Sequence, residues 1–172
     1  VVSDRRIFQP PPADYADTDK ILKIEVENGE CVSARHMKRD DAHYTILYNH
    51  GNASQLSGVY RAEELHAHGF NVLAYDYRGY GTSDGRPSEA NVYEDVAAVY
   101  RYLTTEAGVP PKRVIVFGRS LGGGPATWLA AHEQVGGLVL ESAFTTAFRV
   151  VTKYPIFPVD KREHCMHEFV ST

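Results

Sequence analysis

The pattern Gly118-Arg119-Ser120-Leu121-Gly122 places one serine between two glycines, directly after the apolar run Val114–Phe117. The apolar run predicts a strand and the following residues predict a helix, and a serine at such a sharp turn has an exposed hydroxyl. Larger side chains at the two glycines would clash. The first amides of the helix and its positive dipole end would stabilise a developing oxyanion. The pattern therefore predicts that Ser120 is the nucleophile of an acyl transfer, and the alternative is a glycine-rich turn with an incidental serine.

A second motif, Asn49-His50-Gly51-Asn52-Ala53-Ser54, follows the apolar segment 44–50. The main-chain N–H of Asn52, or as a second choice that of Ala53, is predicted to form an oxyanion hole with the N–H of Leu121. His50 precedes the serine in the chain and lies where the hole would form. We therefore interpret His50 as a turn residue bonded to nearby backbone rather than as the general base.

A third motif, Tyr75-Asp-Tyr-Arg-Gly-Tyr80, continues into a glycine-rich loop that ends near Gly85. Asp76 and Arg78 have the side chains of catalytic groups, but a charged pair beside glycine-rich turns is typical of loop scaffolding. We therefore expect both residues to clamp a tight loop at the carboxyl edge of a sheet.

Short apolar runs alternate with segments of helical length along most of the chain, after an irregular lead-in packed by Ile7, Phe8 and Tyr15. This alternation predicts strand–helix–strand units and a parallel sheet covered by helices on both faces. The first two strands, joined by Glu27-Asn28-Gly29-Glu30, are predicted to form a hairpin. The predicted strands are 21–26, 31–37, 44–50, 71–77, 113–118 and 136–142, and the predicted helices are 54–68, 88–107 (with Ser88 as N-cap) and 120–133.

Composition is that of one ordinary domain: 172 residues, 43% hydrophobic and 23% charged, with a formal net charge of −4. Basic residues are scattered, so we expect no nucleic-acid partner. The two cysteines are far apart and have no metal-ligand spacing, so no metal site is expected. The chain begins with Val1 rather than Met, which leaves the cellular location open, including a removed signal peptide or membrane anchor.

Four segments together resemble the α/β-hydrolase superfamily: "LYNHGNAS", "LAYDYRGYGTSDGRPSE", "VFGRSLGGGPA" and "LVLESAFT". They resemble more narrowly the α/β-hydrolase domain-containing branch that includes depalmitoylating thioesterases and serine aminopeptidase-like hydrolases, over about residues 5–160. The resemblance implies a three-layer α/β-hydrolase fold with a mostly parallel sheet and a lid beginning near Phe144. It also implies Ser120 as nucleophile, Leu121 and Asn52 as oxyanion-hole residues, no cofactor, and a small-molecule or lipid-like acyl substrate.

The acid and the base that a serine nucleophile needs have no clear counterpart. In this superfamily they follow the serine as Asp or Glu and then His, and only 30 residues follow Ser142. Glu141, His164 and His167 are the candidates in the proper order, although a strand-end carboxylate and ordinary exposed histidines are the simpler interpretations. His132 would lie about 18 Å from the serine at helical rise.

We therefore expect an incomplete hydrolase domain that lacks its last strands and helices. The expected division is a lead-in at 1–19, the incomplete domain at 20–160 and a tail unlike the family at 161–172. Strand 136–142 would then be an unprotected sheet edge, suited to self-association or to a completing chain.

Two functions follow from these residues. The first is a serine hydrolase of acyl esters or thioesters, and the second is a non-catalytic homologue that acts as a binding or regulatory protein. A dinucleotide-binding fold is disfavoured because the glycines around Ser120 lack the Gly-x-Gly-x-x-Gly spacing.

Overall fold

The computed structural model describes residues 4–143 of the chain, and within them six strands form one sheet. The order of the strands across the sheet is β1-β2-β4-β3-β5-β6. The strands follow the predicted segments to within two residues at each end. Their bounds are β1 Leu22–Glu25, β2 Cys31–Met37, β3 Thr45–Asn49, β4 Asn71–Tyr75, β5 Val114–Arg119 and β6 Gly137–Glu141.

The last four strands run parallel to one another, which confirms the prediction of a mostly parallel sheet. β3 lies at the centre, where Ile46 pairs with Val72 of β4 and with Ile115 of β5. β1 and β2 are antiparallel, and β2 also joins β4 in antiparallel fashion. The carboxyl ends of the four parallel strands therefore meet at one edge of the sheet, where the sequence motifs lie.

The first two strands form the predicted hairpin. Asn28 and Gly29 at its turn both have positive φ, +63° and +74°. Consecutive left-handed residues are the geometry of a type I′ turn, which Asn-Gly favours because both residues tolerate it. The Asn-Gly signal is thus confirmed.

Four α-helices are described: α1 Asp4–Ile7, α2 Tyr60–Ala67, α3 Glu89–Arg101 and α4 Gly123–His132. The last three are shorter than the predicted helices. Within the predicted helix 54–68, Val59 has a ψ of +52°, which is outside the helical range. It separates a 3₁₀ turn at Leu56–Gly58 from α2. α3 continues into a π-helical turn at Tyr102–Glu106. Ser88 accepts a 3.1 Å hydrogen bond from the N–H of Asn91, as the N-cap prediction required.

Helices cover both faces of the sheet, which confirms the three-layer α/β architecture. On one face Ala62 of α2 packs in a cluster with Ile46 and Val72. On the other face α3 and α4 bury side chains such as Val96 and Leu129 against the sheet.

The lead-in packs as predicted, apart from the short α1. Ile7 and Phe8 are buried in the cluster of the α3–α4 face, and the half-buried Tyr15 packs on the α2 face. The segment therefore lies against the carboxyl edge of the sheet and shares contacts with the site described below.

β6 forms one edge of the sheet within residues 4–143, and its Val139 and Leu140 are 43% and 47% exposed. Association through strand 136–142 stays a prediction. Several predictions concern residues outside those described: the absence of further strands, the lid near Phe144, the tail 161–172, and the roles of His164 and His167. Among the described residues, no helix is long and apolar enough to cross a membrane.

Candidate active site

Ser120 lies at the turn between β5 and α4, where a 3₁₀ turn at Ser120–Gly122 joins the strand to the helix. Its φ is +52°, in the left-handed region that residues with a side chain seldom adopt. Such strain persists only where the surrounding structure enforces it, and it is common at functional sites. The half-buried serine therefore has the backbone conformation expected of a nucleophile at a strand-to-helix turn.

The two glycines of the motif are required by close packing between the turn and the sheet. A Cβ at Gly118 would lie 2.5 Å from the Gly122 carbonyl oxygen and 2.7 Å from Ala126 Cβ. A Cβ at Gly122 would collide with the main chain of Asn49 and His50. The predicted clashes at both glycines are thus confirmed.

The loop that follows β3 lies directly beside the nucleophile. A Cβ built on Gly51 would be 3.5 Å from Ser120 Cβ, so the space between the two residues would admit a single side-chain carbon. Asn52 is the next residue of this loop, and Leu121 lies in the first turn of the helical segment, where amides have no partner within the helix. The structure thus brings both predicted oxyanion-hole segments next to Ser120, while the role of their amides stays a prediction.

Three tyrosines of the Tyr75–Tyr80 motif hold the end of β3 and the loop after it by their hydroxyls. All three side chains are fully buried. Burial raises the pKa of Tyr75 and Tyr77 well above the ordinary value, so both hydroxyls remain protonated donors at neutral pH. The hydrogen bonds run from Tyr75 to Asn49 Oδ1 (2.7 Å), from Tyr77 to the His50 carbonyl (2.8 Å) and from Tyr80 to Asn52 Oδ1 (2.6 Å).

The lead-in segment holds the same loop from the other side. Asn52 Nδ2 donates to the Ile7 carbonyl at 2.5 Å, and the Gln9 N–H donates to Asn52 Oδ1 at 2.8 Å. With the bond from Tyr80, the Asn52 side chain makes three hydrogen bonds. The side chain of Asn52 is therefore structural, and only its main-chain N–H is available for the predicted catalytic role.

His50 is buried, and both of its ring nitrogens contact groups of the scaffold. Its Nδ1 lies 2.8 Å from the Gly51 carbonyl oxygen, and its Nε2 lies 3.2 Å from Asp76 Oδ1. The ring centroid is 4.4 Å from that of Tyr77. These contacts match the interpretation of His50 as a turn residue bonded to nearby backbone.

Asp76 and Arg78 bind scaffold groups rather than the nucleophile. Asp76 Oδ2 accepts a 2.5 Å hydrogen bond from Tyr15, and burial, together with this carboxylate, raises the pKa of Tyr15 to about 12. Arg78 pairs with Asp95 of α3 at 2.6 Å. The two residues clamp the loop after β4, as their glycine-rich context indicates.

The candidates for acid and base are only partly described. Glu141 ends β6 and is ion-paired with Arg61 (3.0 Å) and Arg119 (3.3 Å), and its role as the acid stays a prediction. Within residues 4–143 no hydrogen bond joins the Ser120 hydroxyl to a histidine ring. The same residues contain no group of three or more His, Cys, Asp or Glu side chains suited to a metal ion.

A family model described as the alpha/beta hydrolase fold matches residues 44–157, which include the strand, turn and helix around Ser120. The chain belongs to the α/β-hydrolase fold family. This membership confirms the resemblance seen in the sequence, and it agrees with the three-layer architecture and the order of the motifs.

Two curated relatives of this chain are named α/β-hydrolase domain-containing proteins. The protein aho-3 of Caenorhabditis elegans is 33% identical, with 95% of this chain and 56% of the relative covered. Protein 17B of Homo sapiens is 37% identical, with 75% of this chain and 44% of the relative covered. The chain spans about half the length of the curated relatives it matches. These names confirm the branch that the sequence resembles.

A solved structure of an esterase from Rhodococcus sp. ECU1013, RhEst1, is similar to this chain. Its TM-score is 0.58 at 29% sequence identity, with 74% of this chain and 47% of that chain covered. The likeness in fold extends over most of the described residues.

Proposed function

We propose that this chain carries the nucleophile of a serine hydrolase that acts on acyl esters or thioesters. The observation that carries the proposal is the left-handed Ser120, φ +52°, at the turn from β5 to α4 beside Gly51. Family membership and the esterase of similar fold support the same chemistry.

In the proposed reaction, Ser120 Oγ attacks the acyl carbonyl carbon and its proton passes to a general base. The main-chain N–H groups of Leu121 and Asn52 stabilise the oxyanion of the tetrahedral intermediate. Collapse of the intermediate breaks the bond to the alcohol or thiol, which takes the proton from the base. Water then releases the acyl group by the same steps, and this chemistry needs no metal ion or organic cofactor.

The base and the acid are proposed only as candidates. His164 and His167 follow Ser120 in the order that the superfamily uses, and Glu141 ends the strand next to β5. A base from another chain would serve equally well. The second function, an acyl-binding homologue without turnover, is favoured by the lack of a histidine hydrogen-bonded to Ser120 within residues 4–143.

Hydrolysis of p-nitrophenyl esters and acyl thioesters of several chain lengths tests the proposal. We expect turnover by the 172-residue chain and none by Ser120→Ala. Ser142→Ala is the matched control, because Ser142 has the same φ of +52° after the neighbouring strand β6. Turnover that persists in Ser120→Ala would contradict the nucleophile. Acyl binding without turnover by the folded chain would favour the second function.

A further inference from the structure

The ring of His50 bridges a carboxylate and the peptide group that lies beside the nucleophile. Its side chain is 1% exposed and that of Asp76 is fully buried. Nδ1 lies 2.8 Å from the Gly51 carbonyl oxygen on one side, and Nε2 lies 3.2 Å from Asp76 Oδ1 on the other. The ring therefore joins the end of β4 to the loop after β3.

The contact at Nδ1 bears on the predicted oxyanion hole because of the geometry of a peptide unit. The Gly51 carbonyl and the Asn52 N–H belong to the same planar peptide, and the described residues contain no cis peptide bond. In a trans peptide the C=O and the N–H point in opposite directions. A group that fixes the Gly51 oxygen therefore also fixes the direction of the Asn52 N–H.

The arrangement of protons follows from the atoms that face the ring. A carbonyl oxygen only accepts hydrogen bonds, so Nδ1 carries a proton and donates it to Gly51. Nε2 lies 3.2 Å from Asp76 Oδ1, but the geometry is not that of a hydrogen bond. Neither of these two atoms has a hydrogen-bond partner within residues 4–143. The other oxygen of Asp76 accepts the hydrogen bond from Tyr15, which holds this buried carboxylate beside the ring. The contact between Nε2 and Asp76 is made in the same ring orientation that directs Nδ1 to the Gly51 carbonyl.

The peptide held in this way lies close to the nucleophile. A Cβ built on Gly51 would be 3.5 Å from Ser120 Cβ. The residues on either side are held separately, since Tyr77 binds the His50 carbonyl and Tyr80 binds the Asn52 side chain. Rotation of the Gly51–Asn52 peptide is the freedom that remains, and the His50 ring restrains it.

We propose that His50 is a positioning residue that aims the Asn52 N–H at the oxyanion, and that Asp76 holds the His50 ring in place for this role. The proposal rests on the proposed function, in which the Asn52 amide stabilises the tetrahedral intermediate. His50 touches neither the substrate nor Ser120 in this account. It acts through the peptide between Gly51 and Asn52.

Two substitutions at His50 test the proposal in the full chain. In His50→Asn the amide nitrogen takes the place of Nδ1 and can still donate to the Gly51 carbonyl, whereas His50→Leu has no donor. Tyr100→Phe is the control, because it removes a 2.5 Å hydrogen bond from a buried side chain to the Gln134 carbonyl on the α3–α4 face. Ester hydrolysis gives kcat and KM for each variant, and thermal unfolding gives its folded fraction.

We expect kcat of His50→Leu to fall about 100-fold with KM little changed, the loss typical for one oxyanion-hole donor. His50→Asn should remain within about tenfold of the unmodified chain, and Tyr100→Phe should match it once the folded fraction is taken into account. A merely structural role would make the two His50 variants equally poor, with losses that follow their unfolding. That result would overturn the proposal.

A second measurement separates this proposal from the proposed function. The ¹⁵N–¹H spectrum of the chain reports the Asn52 amide and the proton on His50 Nδ1 without any turnover. We expect a protonated Nδ1, and an Asn52 signal that shifts in His50→Leu but stays near its place in His50→Asn. If the chain lacks activity while these shifts occur, the proposed function fails and the positioning contact stands. An Asn52 signal that is unchanged in both variants would overturn the proposed link between His50 and the Asn52 amide.

Discussion

Nε of Arg78 lies 2.6 Å from Oδ1 of Asp95, and the two side chains are 3% and 0% exposed. This pair ties the loop after β4 to the middle of α3. The Arg78 N–H donates to the other oxygen of Asp95 at 2.8 Å. The guanidinium also binds the Asn91 carbonyl (3.1 Å), Glu94 (2.6 Å) and Glu30 (3.4 Å).

Arg78→Lys should destabilise the fold by about 3 kcal/mol, since an ammonium group cannot replace the fork of donors and a buried carboxylate would lose its partner. Urea unfolding gives the change in the free energy of unfolding. Arg35→Lys is the matched control, because Arg35 and Glu63 form an exposed pair, 36% and 48% accessible. That control should change stability by about 0.5 kcal/mol or less. Equal losses in the two variants would contradict the structural role of Arg78.

Gly122→Ala should destabilise the protein by about 2 kcal/mol, because its Cβ would meet the main chain of Asn49 and His50, which cannot move aside. The φ of Gly122 is −61°, so alanine is allowed there and the effect is steric. Gly58→Ala is the control, since a Cβ at Gly58 has no heavy atom within 4 Å. Chemical denaturation of both variants should show a loss only for Gly122. A stable Gly122→Ala would contradict the close contact between the turn and β3.

His36 should make stability fall in acid. Burial, with a smaller contribution from Lys38, lowers the pKa of His36 from 6.5 to about 4. A depressed folded-state pKa means that the contribution is fully present above pH 6.5 and is lost as the pH falls towards 4. The loss should be about 2 kcal/mol, because solvent reaches the half-buried ring.

The check is urea unfolding of the original chain and of His36→Gln between pH 7.5 and pH 4. The difference between their free energies of unfolding should shrink or reverse as the pH falls, because glutamine does not titrate. A difference that is constant with pH would show that His36 is not buried as a neutral ring.

The strands and the strained serine could be predicted because their signals are local. Short apolar runs mark the parallel strands, Asn28-Gly29 marks the hairpin, and the glycines around Ser120 mark the turn after β5. The order of the strands could not be predicted, because no local sequence pattern indicates that β2 pairs with β4. The π-helical turn after α3 also escaped prediction, since its residues continue the helical pattern.

The support of the candidate site was missed for a related reason. The three tyrosines lie 26 to 28 residues from their partners at the end of β3 and in the loop after it, and Ile7 lies 45 residues from Asn52. Such contacts depend on how strands and lead-in meet at one edge of the sheet. The motif did give an indication, because three tyrosines within six residues are unusual for an ordinary loop. It does not show which residues their hydroxyls bind.

The reactivity of Ser120 is the central claim, and labelling with a fluorophosphonate tests it most directly. Intact mass of the 172-residue chain measures the adduct, and peptide mapping finds the modified residue. We predict one adduct per chain, on Ser120, that is absent in Ser120→Ala and unchanged in Ser142→Ala. A folded chain that forms no adduct, or that forms it at another serine, would contradict the claim that Ser120 is the activated nucleophile.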